Sequence, residues 1–519
     1  MTAKPKWFQT TAIDYPNSRP HIGTAFEKLG ADVQARYRRM EGYDVCFLMG
    51  NDENTLKVAD RAKELGLDTQ AYCDDMARQF REVWDALGIT YDVFIQTSHE
   101  RHKECCRKFA QAVYDNGHIY KGLYSGWYCP GCEEFKTKKV HEEHNGQCPN
   151  HHRPLVWRDE PCYYFKLSAF KDRLLTELRE NPEFVQPESR RNEMIGFIEA
   201  EGLEDLNISR HGEEWGIRLP FDPEFTIYVW FDALLTYITG IGYGDDEVLF
   251  RKNWPCDTHF IGKDITRFHT HIWPAMLWAA GLDAPKRVFS HGFVTVDGTK
   301  MGKSMGNVVQ PLDIIAKSSV DAYRYFFMRE CPFPGDGDYS GQRFEEVYNT
   351  DLANTLGNLL SRTITVPSKS LGGKFPGTAG RAPDAVTAEF DAGNLVAEVR
   401  CRVEACEYSQ ALQPIMTQLL YPANKYIGDK EPWKVVKTDA TAASHILHNV
   451  VETLRIAAIL LKPFIPESAK AIYTSFNFPT PWDEVKYADA AELKAQPDDL
   501  RVTAELVDGK PKPLFPRIG

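Results

Sequence analysis

The chain has 519 residues, 43% hydrophobic and 26% charged, with 61 Lys and Arg against 73 Asp and Glu for a formal net charge of −12. That balance excludes a disordered chain, the length is too great for one ordinary core, and about two to four structural units are expected. The negative charge excludes a protein that coats nucleic acid by bulk electrostatics, so any nucleic acid partner must be held by a local basic groove.

Residues 1–10 carry no long apolar run behind their lysines, and no later segment is apolar for the roughly 18 residues of a bilayer span. No membrane partner and a cytoplasmic location are therefore expected. Twelve cysteines are scattered along the chain, and three of them, Cys129, Cys132 and Cys148, sit at metal-ligand spacing. Reduced thiols and one metal site follow as the expectation.

Residues 7–13 form a β-branched, apolar run ending in Asp14-Tyr15-Pro16-Asn17-Ser18-Arg19-Pro20, which reads as a strand entering a loop. Phe26, Leu29, Val33, Tyr37 and Met40 then recur at steps of three and four until Gly42, predicting a helix with one face on a sheet. Residues 43–49 read as a second buried strand with Asn51, Asp52 and Glu53 past its carboxyl end. This strand-helix-strand unit is of the kind that binds ligands at strand carboxyl ends. A long stretch holding the cysteine cluster interrupts the pattern, which resumes as strand-like runs at residues 226–231, 259–261 and 288–296. Beyond Asp351 the periodicity is helical, through Leu352, Leu356 and Leu359 and later Val450, Leu454, Ala457 and Leu461. A Gly-, Pro- and Ser-rich loop over residues 368–383 separates helices there.

Four groups of residues carry chemistry. Pro20-His21-Ile22-Gly23 falls at the strand-to-helix junction, where Gly23 admits close approach, the helix start offers N–H groups to an anion, and His21 can donate to phosphate oxygens. Taken alone, such a histidine reads equally well as a solvated loop residue. Lys300-Met301-Gly302-Lys303-Ser304 makes a basic loop that can clamp a triphosphate and stabilise charge on departing pyrophosphate. Cys129-Pro130-Gly131-Cys132 is a knuckle turn, and Cys148-Pro149-Asn150-His151 repeats the spacing with an imidazole as fourth ligand. Zinc suits that set, in a structural role because four protein ligands leave no open position; His141, His144 and His152 are rivals for the fourth place. Asn358 and Arg362 share one helix face and Trp433 follows Pro432, an amide, a guanidinium and an indole of the kind that read single-stranded RNA. Individually each is as easily a solvated or packing residue.

The first two groups, in this order, resemble the HIGH and KMSKS signature pair of class I aminoacyl-tRNA synthetases. The segments Ala12-Ile13-Asp14-Tyr15, Tyr228-Val229-Trp230-Phe231-Asp232-Ala233, Phe260-Ile261-Gly262-Lys263-Asp264-Ile265-Thr266-Arg267-Phe268-His269 and Trp273-Pro274-Ala275-Met276-Leu277 are similar to motifs of the methionyl-tRNA synthetase family. The resemblance runs over nearly the whole chain. It implies an α/β fold, a Rossmann-type parallel-sheet domain split by a zinc-knuckle insertion, followed by an all-α helical-bundle domain that binds the anticodon. The limits expected are 1–117 and 216–290 for the two catalytic halves, 118–215 for the insertion, 291–345 for the lysine loop and linking subdomain, and 346–519 for the bundle.

It further implies a ligase that activates L-methionine with ATP and Mg²⁺, and charges the 3′-terminal adenosine of tRNA(Met), the initiator included. The methionine pocket it implies is Ala12, Ile13, Tyr15, Trp230, Ala233, Tyr237, Ile265 and His269, with Asp52 for the substrate ammonium. A thioether wants such a polarizable aromatic and aliphatic lining. For ATP it implies His21, Gly23, Thr24, Glu27, Gly262, Asp264 and Lys303, with His21, Lys300 and Lys303 as the catalytic charges. Cys129, Cys132, Cys148 and His151 would hold one structural Zn²⁺, and Asn358, Arg362 and Trp433 would read the CAU anticodon. Thr24 and Gly302 depart mildly from the signatures, whereas Asp14, Asn54, Thr55 and Leu234 alter the pocket rim. A synthetase for isoleucine would need a longer editing insertion, and a non-catalytic RNA-binding relative would have no use for His21, Lys300, Lys303, Asp52 and His269 together. The chain stops at Gly519 after a polar tail, and a monomer is expected.

Overall fold

A computed structural model describes residues 4–129, 134–136, 138–149, 152–212, 215–302, 306–507 and 510–518. Six strands build the central sheet: β1 (Lys6–Thr11), β2 (Asp44–Asn51), β3 (Val93–Gln96), β4 (Val185–Gln186), β5 (Thr258–Gly262) and β6 (Val288–His291). Their order is β3-β2-β1-β5-β6-β4, and every pairing is parallel. Burial along β1, β2 and β5 runs on through successive residues rather than alternating, as a parallel sheet covered on both faces requires. The chain departs from β1 in opposite directions, to β2 on one side and β5 on the other. The gap beyond their carboxyl ends is the switch point where such sheets bind ligands. The edge strand β4 comes from within residues 118–215, so that stretch contributes to the central sheet as well as holding the cysteines.

Helix α1 (Ile22–Met40) follows β1, and its periodic residues Phe26, Leu29, Val33 and Tyr37 are fully buried. The expected single apolar face is too simple, however, because Lys28, Asp32 and Gln34 are buried as well. The helix is sandwiched between the sheet and the carboxy-terminal helices. Tyr408 Oη donates to Gly30 O at 2.7 Å, and Arg324, itself fully buried, donates to Asp32 Oδ2 at 2.7 Å and to the carbonyls of Pro463 and Phe464.

Two strand expectations need correction. In residues 226–231 the strand is Asp222–Ile227, lies in a separate antiparallel sheet, and gives way to a helix over Val229–Ala233. Aromatic and β-branched residues suited a strand, but the helical turn is what turns Trp230 and Ala233 to the same cavity. Residues 288–296 are two strands, β6 and Val294–Val296, the second paired with Gly337–Tyr339. They break at Gly292, where a Cβ would lie 1.9 Å from the carbonyl oxygen of Gly335.

Residues 118–215 hold two long antiparallel strands, Ile119–Cys129 and Val156–Phe165, paired from Ile119↔Phe165 to Tyr128↔Val156. Beyond residue 347 the described chain is mostly helical, and Val450, Leu454, Ala457 and Leu461 are buried along the helix Ala440–Leu461; the expected all-α character is broken by a short antiparallel pair, Leu506–Val507 with Lys510–Pro511. The stretch rich in Gly and Pro is irregular after the helix Asn358–Ser370 ends. Among the described residues no helix is long and apolar enough to cross a membrane.

Candidate active site

A cavity of about 850 Å³ opens at the carboxyl ends of β1, β2 and β5. Ala12, Ile13, Tyr15, Asp52, Trp230, Ala233, Tyr237, Ile265 and His269 all line it. So do His21, Gly23, Thr24, Glu27, Gly262, Asp264 and Lys300. Lys303 lies outside the described residues, between Gly302 and Gly306. At the base of that loop Asn307 accepts from Gly302 N at 3.0 Å and donates to Lys300 O at 3.2 Å, tying the two stems together.

The start of α1 corrects one expectation. His21 is its N-cap, and its Nδ1 accepts from the backbone N–H groups of Gly23 (3.1 Å) and Thr24 (3.2 Å), while Ile22 N donates to Val309 O. The first N–H groups of the helix are thus spoken for and are not open to an anion. What the cap does is fix the tautomer: an accepting Nδ1 leaves Nε2 as the ring's N–H donor. Gly23 has the close neighbours that its smallness was expected to permit, since a Cβ there would meet Met301 Cε at 3.0 Å. A Cβ on Gly262 would stand 2.7 Å from Asp264 Oδ1.

The end of the cavity around Trp230 and His269 is aromatic, with Asp52 as its acid. Trp230 stacks on Phe268 at 3.8 Å and meets Tyr15 edge-on. His269 sits on a widened, π-type turn over Phe268–Ile272, a geometry that re-aims side chains at functional sites. Its Nδ1 lies 3.0 Å from Ile265 O and must donate, so Nε2 accepts from Tyr237 Oη at 2.7 Å. Burial lowers the imidazole pKa to about 4, so this pair is neutral at physiological pH. Burial raises Asp52 above the usual carboxylate range, against the opposing hydrogen bond from Tyr15.

Lys28 explains the unusual Asp14. Its ammonium is fully buried and donates to Ala12 O (2.8 Å), Asp14 Oδ1 (3.2 Å) and Glu27 Oε1 (2.7 Å); Glu27 Oε2 in turn meets His291 Nε2 at 3.0 Å. Burial raises Asp14 to about 6 even beside Lys28, whereas in Glu27 the same burial cost is outweighed by Lys28 and His291 and its pKa falls. Asn54 donates to Thr97 O and Asp232 Oδ2, Thr55 caps the helix Leu56–Glu64 by accepting from Val58 N, and Leu234 lines the cavity. Phe268, His291, Phe293 and Asp336 also line it and escaped the sequence reading. Of these, Phe268 lies inside a quoted motif one residue before His269; the other three carry no local signal.

Cys129 and Cys148 are fully buried together, packed with Leu155 and Trp127. Cys132 and His151 lie outside the described residues. Of the rival histidines, His141 is stacked on Trp127 at 3.7 Å. No group of three or more metal-ligating side chains occurs among the described residues. In the helical part Asn358 is exposed and Arg362 half-buried on one helix. Arg362 Nη2 donates to Asn424 Oδ1 at 2.6 Å, and its guanidinium carbon lies 6.0 Å from the ring centre of half-buried Trp433. Sequence reading missed Asn424, which sets the direction of the guanidinium and is itself held by Thr355 O and Leu420 O.

The chain is similar to known proteins over nearly its whole length. The family described as "tRNA synthetases class I (M)" matches residues 7–155 and 151–364, and "Anticodon binding domain of methionyl tRNA ligase" matches residues 376–506. A methionine–tRNA ligase of Caldanaerobacter subterraneus subsp. tengcongensis is 43% identical over 490 residues, covering 93% of this chain and 76% of that protein. One from Thermosynechococcus vestitus is 44% identical over 484 residues, 91% of this chain and 90% of the relative. Among solved structures, the Mycobacterium tuberculosis methionyl-tRNA synthetase bound by methionyl-adenylate superposes with a TM-score of 0.88 at 38% identity, covering 98% of this chain and all of that one.

Proposed function

The chain belongs to the methionyl-tRNA ligase family of class I tRNA synthetases, and from that premise we propose how its own residues carry the reaction. It is a methionyl-tRNA synthetase: the methionine carboxylate attacks the α-phosphate of ATP, giving methionyl-adenylate and pyrophosphate, and the acyl group then passes to the 3′-terminal adenosine of tRNA.

In the proposed arrangement Asp52 takes the substrate ammonium, and the thioether lies among Ala12, Ile13, Tyr15, Trp230, Ala233, Tyr237, Ile265 and His269. The neutral Tyr237–His269 pair supports that reading, because it closes the pocket with satisfied polar groups and places no charge beside sulfur. Gly262 and Asp264 hold the ribose, with Gly23, Thr24 and Glu27 around the nucleotide. His21, through Nε2–H, and Lys300 and Lys303 stabilise charge that grows on the phosphates as pyrophosphate leaves. Mg²⁺ carried by the triphosphate would supply further neutralisation of that charge. No side chain forms a covalent intermediate; position and electrostatics carry the rate.

Two buried thiols in one small cluster suit a soft metal, so Cys129 and Cys148, with Cys132 and His151, are the proposed holders of one structural zinc. Asn358, Arg362 and Trp433 are proposed to read CAU in tRNA(Met), initiator included, supported by the guanidinium and indole that share one half-exposed face. The proposed limits are 1–117, 118–215, 216–290, 291–345 and 346–519, with β4 serving the catalytic sheet. A monomer is the proposed working unit.

The observation that carries the residue assignment is the convergence of both sets, from segments up to 288 residues apart in sequence (Ala12 to Lys300), on one cavity at the sheet's switch point. Amino-acid-dependent exchange of labelled pyrophosphate into ATP tests it. Methionine should support exchange while isoleucine, leucine and valine do not, and substitution of Asp52 or His269 that leaves the methionine KM unmoved would refute the pocket. Metal analysis of the same preparation should find one zinc per chain; finding none would remove the knuckle.

A further inference from the structure

A second carboxylate stands behind Asp52, and the reaction as described gives it no task. Asp232, on the helix Val229–Ala233, is fully buried and does not line the cavity. Asn54 Nδ2 donates to its Oδ2 at 3.0 Å and is itself fixed by donating to Thr97 O at 2.9 Å, and the backbone of Ala233 also hydrogen-bonds the carboxyl. The remaining oxygens, Asp232 Oδ1 and Asp52 Oδ1, are both buried without a hydrogen-bond partner.

Among the described residues the titratable groups that act on the two acids are Tyr15, Glu53 and Tyr237 at Asp52 and Tyr15 and Cys106 at Asp232, with His102 against the Asp232 backbone. None is a cation. Glu53 is itself buried; Ser98 N and Ser98 Oγ both donate to its Oε2, and its Oε1 has no partner among the described residues. His102 is wedged between Thr239 Oγ1 (3.0 Å) and Cys106 Sγ (3.2 Å), and burial lowers its pKa to about 3, so it is neutral. No lysine or arginine among the described residues is paired with Asp52 or Asp232. Two desolvated carboxylates without a cation cannot both ionise cheaply, and the acid with the poorer access to water and to donors keeps its proton. Burial first, and then Asp52, hold Asp232 well above the carboxylate range.

We propose that Asp232 is a positioning residue kept as the neutral acid, with Asn54 occupying Oδ2 so that Oδ1 carries the proton and serves as donor to Asp52, and that methionine binding drives Asp52 from acid to carboxylate with loss of one proton to solvent. The proposal rests on Asp52 as the ammonium site. The balance is simple: the substrate enters as R–NH₃⁺, Asp52–COOH becomes Asp52–COO⁻, the proton goes to the buffer, and Asp232 remains protonated throughout. The incoming ammonium supplies the cation that the protein withholds, and the neutral acid behind stabilises the carboxylate without adding a second charge. A carboxylic acid held neutral in order to donate is an established device of buried sites.

Calorimetric titration of the wild-type enzyme with L-methionine, at one pH in buffers of low and high ionisation enthalpy, counts the proton. About one proton released per methionine bound near pH 7 is expected, falling toward zero as pH rises through the titration of Asp52. In pyrophosphate exchange, Asp232→Ala should raise the methionine KM about tenfold with kcat little changed, the loss of one hydrogen bond to a charged group. Asp232→Asn, which mimics the neutral acid, should restore KM to within about threefold. Binding heat independent of buffer would overturn the proposal, as would an Asn variant as impaired as the Ala variant, because Asp232 would then act through its charge. If neither variant folds, the wild-type buffer series decides alone. Failure of methionine to bind or to support exchange in the wild type would count instead against the methionine pocket itself.

Discussion

In the cavity wall Lys28 is entirely out of water, surrounded at 2.7–3.2 Å by Ala12 O, Asp14 and Glu27. On the helical bundle Arg362 stays half in solvent, turned by Asn424 and standing 6.0 Å from Trp433. Both are cations beside a proposed site, and the difference matches what each site is proposed to meet. A reacting phosphate needs charges and dipoles already desolvated and oriented, since they cannot be rearranged while the bond breaks. An unpaired RNA base arrives solvated and stacks on whatever flat surface is offered, so the surface must remain open. Changes in the cavity should therefore be severe and act on everything, and changes on the bundle mild and selective.

The strongest challenge to that contrast is Lys28→Met. It leaves buried Glu27 and half-buried Asp14 with no cation between them, and should cost on the order of 3–5 kcal/mol of stability in urea denaturation. A loss under about 1 kcal/mol would mean that the ion chain is solvated and that the cavity wall resembles the bundle after all. Next in size is Lys303→Ala, expected to slow adenylate formation about a hundredfold or more, roughly 3 kcal/mol, with methionine affinity nearly unchanged. Equal losses in binding and rate would reduce that lysine to a general attractor of substrate.

The smallest effect belongs to the bundle. Trp433→Ala should remove stacking worth roughly 1–3 kcal/mol, visible in tRNA charging while pyrophosphate exchange is untouched. The loss should shrink for a tRNA whose anticodon is already wrong, because little stacking remains to be lost. Slower activation in the absence of tRNA would show instead that the indole is a core residue, consistent with its partial packing against the bundle.

Much of the site could be read before the fold was known, for a definable reason. His21 with Gly23, and Gly262 with Asp264, are neighbours in sequence, so one motif carries both members of a working pair. Tyr237 and His269 were each identified, yet their hydrogen bond across 32 residues and the tautomer it imposes were not legible. The helix start was read as an open anion site because Gly-rich strand-to-helix turns usually are; the ring of His21, folding back on its own N–H groups, decides otherwise. Residues 229–231 misled by composition, since Val, Trp and Phe favour strands until a tertiary need bends them into a helix.

The sequence by itself determined where strands and helices alternate and that two motifs suited to phosphate charge flank a split sheet; the cavity residues it offered came through a family resemblance, and Phe268, His291, Phe293 and Asp336 were not among them. Periodicity, breakers and short motifs are local properties, and local physics suffices to read them. Which acid is charged, which nitrogen of a histidine donates and what neutralises Asp14 were decided only in the tertiary structure. Those outcomes turn on burial and on partners such as Glu27 and His291, 264 residues apart along the chain, and no period in the sequence records the distance between them once folded.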